Sequence, residues 1–540
     1  MASSRCILVV FDSYQRAKIN FLQNIYDFTV KKEPSVEQLL DLNIMQQITP
    51  LLTDVPNVQN LALVTTVKLC AASEVIAKHI LKKKVLERLD DEFECQPKEY
   101  RRNVLQIVKN ISKYSDLTSE LLTQAKHLLT TSIHDLDTLQ RELVLAALTN
   151  ISNHGLCNAQ RVMDLEVLPQ MILCLQVPVT LSLESTQLIR ALSKQSVDIS
   201  GVMLDNNVLT YLADNLHNPD IKLMKATMLC LAEIAKHSLD FAEKVMSTRV
   251  LCKTILYTSH CDNSVKRSAT VLLRELSKHS ADLSRKIVQH GALAGLISII
   301  ANTSGLVRLP AVMTLGYMGA QSDHLALAII QSQGLHELIT ALNNETSEAT
   351  LGAIIWTIEQ LTKHSAQHVN YLNDTNVFAK LLRIYISADS CPEMKSRCLA
   401  TLLSTVNKCL NIQDIDLLLY ESPPEILLPA LKQLCKIFPV DLKARRVFVS
   451  AGGLKRVQAL KPPAGSELCE AVTMINSYFP EDIVRYYSPR CTDHLLAKVD
   501  QFTPQVSLPL ITCAPDTPSD MSLGDEEGNW SSPISHVISS

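Results

Sequence analysis

Glycine is scarce in this sequence, 14 of 540 residues, where an ordinary globular chain carries about 7%. Aromatic residues make up 5%, and tryptophan occurs twice. Both shortages work against sheets joined by tight glycine turns and against aromatic-rich sandwich cores, and an all-helical chain needs neither. An excess of charge of one sign is also missing. The 51 Lys+Arg stand against 55 Asp+Glu, a net −4, so the basic footprint of a protein that wraps nucleic acid is not there. The longest weakly charged stretch, residues 291–307, is interrupted by Asn302, Thr303 and Ser304 and closed by Arg308 and Pro310, short of the ~20 apolar residues of a membrane span. Residues 1–20 carry Arg5, Asp12, Arg16 and Lys18 and lack the form of a secretory signal. The expectation is a soluble, intracellular protein with no membrane and no nucleic-acid partner. The fifteen cysteines are scattered from Cys6 to Cys513 without a C-x-x-C pair, so they read as small apolar residues in a reducing compartment, and neither a metal nor a cofactor is expected. With 47% apolar and 20% charged residues, the chain has ample material for a large core.

That core is built by repetition. A five-residue phrase recurs as Ile111-Ser112-Lys113-Tyr114-Ser115, Ile151-Ser152-Asn153-His154-Gly155, Leu192-Ser193-Lys194-Gln195-Ser196, Ile234-Ala235-Lys236-His237-Ser238, Leu276-Ser277-Lys278-His279-Ser280 and Leu361-Thr362-Lys363-His364-Ser365. Weaker copies begin at Leu69 and Met318, and the steps between copies run from 40 to 43 residues. A second landmark keeps the same phase: Glu166-Val167-Leu168, Asn207-Val208-Leu209, Arg249-Val250-Leu251, Gly291-Ala292-Leu293, Gly334-Leu335 and Asn376-Val377-Phe378. Periods of this length mean stacked units. Each unit parses into three amphipathic segments, for example 240–247, 250–259 and 264–278, with turn residues such as Asn218-Pro219-Asp220 ahead of the long third helix.

A three-helix unit of this period resembles the armadillo repeat. The resemblance implies an all-α, right-handed superhelical solenoid whose third helices line one surface, and whose units share their core with their neighbours. The predicted organisation is an N-terminal capping helix over 1–35, the solenoid over 36–465, a C-terminal helical cap over 466–503 and a disordered acidic tail over 504–540. That tail has Pro504, Pro509, Pro515, Pro518 and Pro533, five acidic residues, and no Lys or Arg.

Several stretches go beyond a generic repeat: residues 10–17 (VFDSYQRA), 309–317 (LPAVMTLGY), 443–455 (KARRVFVSAGGLK) and 475–489 (INSYFPEDIVRYYSP). Together they resemble the sperm-associated antigen six family. That family implies a structural protein of the axonemal central apparatus in motile cilia and flagella, with other central-apparatus proteins, and tubulin, as partners. The chain departs from the family's pattern at the glycine turn before each middle helix, which survives as Gly291-Ala292 and Gln333-Gly334 and elsewhere reads Asn206-Asn207, Leu165-Glu166 or Thr248-Arg249.

Two sets of residues are candidates for contact. Armadillo proteins that bind extended peptides carry an Asn in each third helix with a Trp one turn earlier. The corresponding positions here are Lys68, Asn110, Asn150, Ala191, Glu233, Glu275, Tyr317 and Gln360, with Trp356 preceding Gln360. Two asparagines in eight make a weak ladder, so a soluble adaptor for extended peptides is the alternative reading. The second set is a basic edge at the start of the third helices: Arg101, Arg102, Arg141, Lys222, Lys225, Lys266, Arg267 and Arg308, with Lys443, Arg445 and Arg446 further on. Cations there oppose the helix dipole, so helix propensity does not explain them, and an acidic partner does. The Lys-His pairs at 236–237, 278–279 and 363–364 read as caps on the C-terminus of their own helix. Pro480, Tyr486, Tyr487 and Pro489 read as an aromatic lid. No phosphate loop, zinc-protease helix or nucleophile elbow is present in the sequence, and a non-catalytic scaffold is expected.

Overall fold

The computed structural model describes residues 2–30 and 44–502, apart from the single positions 92, 177, 374, 421 and 490. The predicted tail over 504–540 lies outside the described residues. All regular structure among the described residues is helical.

The long helices form one series: α1 (Ala2–Val30), α2 (Pro56–Ala72), α3 (Lys98–Ile111), α4 (Thr138–Asn153), α5 (Val179–Gln195), α6 (Ile221–Ala235), α7 (Asn263–Ser277), α8 (Gly305–Gln321), α9 (Glu348–Thr362), α10 (Pro392–Val406), α11 (Pro424–Ile437) and α12 (Glu467–Ser477). Each packs on the next, from α1 to α12. Shorter helices lie between them in the chain, as in Leu239–Ser247 and Val250–Tyr257 ahead of α7, within two residues of the segments read from periodicity. One unit cannot enclose its own apolar face, so the core is a single body running from Leu22 to Ile475.

The recurring phrase does three jobs. Its first residues close the long helix. Its last residue, a serine, caps the next helix: Ser196, Ser238 and Ser280 accept hydrogen bonds from the backbone N–H groups of Asp198, Phe241 and Leu283 at 3.1, 3.2 and 3.2 Å, each cap contributing about 1 kcal/mol. The fourth residue reaches back one unit. His154, His237, His279 and His364 place Nε2 at 3.0, 2.6, 2.7 and 2.6 Å from the carbonyl oxygens of Ser112, Ser193, Ala235 and Gly319. Tyr114 and Gln321 make the same reach, to Cys70 and Ser277 at 3.1 and 2.7 Å, and Lys408 bonds the carbonyl of Lys363. These side chains therefore cap the C-terminal carbonyls of the preceding unit, not of their own helix, because the solenoid brings that open end alongside.

A carbonyl only accepts, so each imidazole donates from Nε2 and needs no positive charge. Burial, against the hydrogen bond to Ala235 and with help from Lys278, holds His279 below the ordinary 6.5. Burial also lowers His364, which faces Gly319 O, His368, Lys363 and Asp323. The unfolded chain therefore takes up protons below about pH 6.5 that the fold resists, so stability is full above that pH and falls as pH drops below it. His127 is raised by its hydrogen bond to Asp90 and acts in the opposite sense, but its side chain is 59% exposed and its effect is screened. The urea midpoint is expected to fall between about pH 7.5 and 5.5. A His279→Gln/His364→Gln variant should keep its midpoint at the higher pH, since Gln321 makes the same bond, and lose much of the drop. An undiminished drop would show that these rings do not carry it.

The second landmark is a left-handed turn. Lys84, Glu166, Asn207, Gly291, Gln333, Asn376 and Gly452 all have positive φ immediately before or at the start of a middle helix, at 53, 55, 57, 85, 69, 57 and 80°. The turn geometry has been kept without glycine at Lys84, Glu166, Asn207, Gln333 and Asn376, at about 1 kcal/mol of strain for a non-glycine residue and less for Asn, and has been lost at Thr248-Arg249, where Arg249 has φ −72°. At Gln333-Gly334 the left-handed residue is Gln333. Gly334 is there because a Cβ would press on the backbone of Ile329.

Gly316 and Gly319 sit where α8 meets α9, and a Cβ on either would overlap Trp356 or Leu361. At the C-terminal end, Gly453 leaves room for the ring of Phe448, which packs against Phe438 and Phe479 with centroids 5.1 and 6.3 Å apart. This aromatic cluster, with Tyr478, is the packed lid. Tyr486, expected in that role, is 69% exposed, because the short helix Glu481–Tyr487 buries none of its residues.

Candidate functional site

Of the ladder positions, Asn110, Ala191 and Glu275 are buried, Asn150, Glu233, Tyr317 and Gln360 are half-buried, and Lys68 is exposed. Asn110 is buried, and its amide donates to the carbonyl of Val67 on α2 at 2.9 Å. Asn150 donates to Ser112 Oγ at 3.0 Å, at the end of α3. Both amides hold one long helix to the one before it, which competes with the role of gripping a ligand backbone. Glu275 is buried against Arg274 and Lys278. Burial pushes its carboxyl up, and hydrogen bonds from Lys278 and Arg274 overcome this and hold it low. Glu233 lies 3.7 Å from Arg190 on α5 and 3.8 Å from Lys236. Trp356 meets Tyr317 edge to face, with centroids 5.2 Å apart, and Gln360 accepts from Lys363 Nζ at 2.7 Å.

Three cations of the basic edge are taken up within the fold. Arg101 pairs with Asp135, Arg102 forks onto both oxygens of Asp137 at 2.8 and 2.7 Å, and Arg308 meets Glu345 at 2.9 Å. Lys18 on α1 reaches Asp54 at 2.5 Å, and Lys432 on α11 reaches Glu467 at 2.6 Å. In each pair a cation on one long helix faces an acid at the start of the next, 34 to 37 residues on for the Arg101, Arg102, Lys18, Lys432 and Arg308 pairs. The acid suits the dipole of the helix it precedes, and its charge offsets the cation's conflict with its own helix. The Arg102 hydrogen bond holds the Asp137 carboxyl below its ordinary range. Lys225 contributes to the same effect at Asp262, where the hydrogen bonds from Ser264 lead. Arg141 has no carboxylate in this register and turns to Cys174 Sγ at 2.8 Å. Arg445 bonds the carbonyl of Phe438 at 2.6 Å and lies over Tyr478. Lys222, Lys266, Arg267, Lys443 and Arg446 carry no side-chain pair among the described residues.

Among the described residues no group of three or more His, Cys, Asp or Glu side chains converges as a metal site, and no single helix is long and apolar enough to cross a membrane. Sequence reading missed a basic cleft between Leu239–Ser247 and Ala281–Gln289, since its residues fall in no repeat-wide pattern.

No protein-family model matches the chain. Sperm-associated antigen 6 of Homo sapiens is 38% identical over 160 residues, which is 30% of this chain and 31% of that protein. The Mus musculus protein of the same name is 38% identical over 160 residues, 32% of its length. The match thus spans about a third of these relatives. An engineered protein solved by crystallography overlays 80% of this chain and 98% of its own with a TM-score of 0.61 at 15% identity, a likeness of fold alone. The 42-residue phase, the three-helix unit and the stacked long helices make this an armadillo-type all-helical solenoid, and over the matched residues the chain is a divergent relative of sperm-associated antigen 6.

Proposed function

We propose that the chain is a non-catalytic scaffold of the motile axoneme, a cytoskeletal protein of the central apparatus that supports flagellar motility by holding neighbouring proteins and by contact with tubulin. The observation that carries this reading is the similarity to sperm-associated antigen 6, set on a solenoid that offers long surfaces. The cations left unpaired at Lys222, Lys266 and Arg267 on α6 and α7 are suited to an acidic surface such as a tubulin tail. The adaptor reading has less behind it, because the amides of Asn110 and Asn150 already bond the preceding units.

A tagged copy expressed in a flagellated cell tests the proposal. It is expected to remain with detergent-extracted axonemes and to be lost from axonemes that lack the central pair. Recovery solely in the soluble fraction would overturn it.

A further inference from the structure

A cleft of about 770 Å³ lies among the shorter helices Leu239–Ser247, Val250–Tyr257 and Ala281–Gln289, and no residue of α1–α12 lines it. Three permanent cations line it, Arg249, Lys253 and Lys286, together with His217 and His290 and a single carboxylate, Glu243. None of the three cations has a side-chain hydrogen bond or ion pair among the described residues. That contrasts with Arg101, Arg102 and Arg308 of the basic edge, each of which meets an acid of the next unit.

The two imidazoles are oriented. Nδ1 of His217 lies 3.2 Å from the carbonyl of Ala213, and Nδ1 of His290 lies 2.7 Å from the carbonyl of Lys286. Each ring therefore carries a proton on Nδ1 and leaves Nε2 without a partner among the described residues.

The charge is local, not a property of the repeat. One period later, Arg249, Lys253 and Lys286 become Gly291, Gly295 and Ala328. The backbone departs there as well: Arg249 has φ −72°, where seven equivalent turns have positive φ. Leu251 and Leu283 supply an apolar wall.

We propose that this cleft binds a phosphorylated segment of a partner protein. Three cations without an ion-pair partner among the described residues line one cavity beside a single carboxylate, and a dianion complements that excess of positive charge at a single point, with the arginine fork matched to two phosphate oxygens. The apolar wall receives the residues beside the phosphate. This inference concerns a surface of the short helices and stands whether or not the axonemal assignment holds.

The test is fluorescence anisotropy on the full chain with a labelled short peptide carrying two phosphoserines. The same peptide with serine, the same peptide with glutamate, and a single-stranded oligonucleotide are the comparisons. The phosphopeptide is expected to bind about tenfold or more tighter than each of these. An Arg249→Glu/Lys253→Glu variant, checked for helicity, should lose that binding by a similar factor. A Lys222→Glu/Arg267→Glu variant on α6 and α7 should keep it. Equal binding of the glutamate peptide would make the cleft a general acidic-segment surface, for which residues 503–540 are one source, and would overturn the proposal. Equal binding of the oligonucleotide, no binding of the phosphopeptide, or no loss in the cleft variant would overturn it as well. If the cleft variant misfolds, Lys286→Gln, at an exposed position, gives the same reading with a smaller loss.

Discussion

An Arg308→Ala variant is expected to lose about 3–5 kcal/mol of stability at neutral pH, because the substitution leaves a buried carboxylate without its counter-ion. Arg308 is 7% exposed, and the side chain of Glu345 is 2% exposed. The Glu345 carboxylate also accepts from the backbone N–H groups of Ser347, Gly305 and Thr346 at 3.1, 3.2 and 3.2 Å. Burial pushes this carboxyl up, and the donors from Ser347 and Gly305 with the charge of Arg308 overcome it, holding the group below its ordinary 4.5. In the native protein Glu345 therefore contributes stability above about pH 4.5 that is lost as pH falls through its lowered value. In the variant the carboxyl rises and takes a proton more readily, so the deficit against the native protein should shrink between about pH 7 and 4. Urea unfolding at both pH values measures it. A deficit under about 1 kcal/mol at pH 7, or one that grows on acidification, would mean that the pair does not hold α8 to α9. An Arg308→Leu/Glu345→Leu double variant should recover much of the loss, since well-packed apolar pairs replace buried ion pairs at little cost.

A Phe448→Ala variant should cost a comparable ~3–5 kcal/mol through the cavity it leaves. Phe448 is fully buried, its ring meets Phe438 and Phe479, and no Cβ at Gly453 stands by to fill the space. The effect should be confined to one end, because solenoid units are coupled mainly to their neighbours. Amide hydrogen exchange is expected to speed up in α11, α12 and Glu481–Tyr487 and to remain unchanged in α3 to α6. Uniform acceleration along the chain would show that the repeats unfold as one cooperative body.

Much of the architecture is legible in the sequence because its signals are local. The helix positions follow from apolar spacing within 15 residues, and the start of Leu239–Ser247 and Ala281–Gln289 follows from Ser238 and Ser280. The period follows from two phrases kept in constant phase. The loss of glycine before the middle helices reads as a change of turn, and the structure shows the same left-handed turn made by Glu166, Asn207, Gln333 and Asn376. Composition reports the residue, and the packing on either side decides the conformation it must adopt.

The contact residues were far less legible, for a reason that belongs to solenoids. Arg102 and Asp137 are 35 residues apart, Asn110 and Val67 are 43, and His279 and Ala235 are 44. Partners one unit away leave no trace in helical i, i+4 spacing, so Arg101, Arg102 and Arg308 looked like a free edge and Asn110 like an open ladder. That this chain is a stack of three-helix units follows from the sequence, since the period and the apolar spacing are written in short stretches. The tertiary structure alone decided which charges each unit gives to its neighbour and which remain free, as Arg249, Lys253 and Lys286 do, because only stacking sets the distance between residues a full repeat apart.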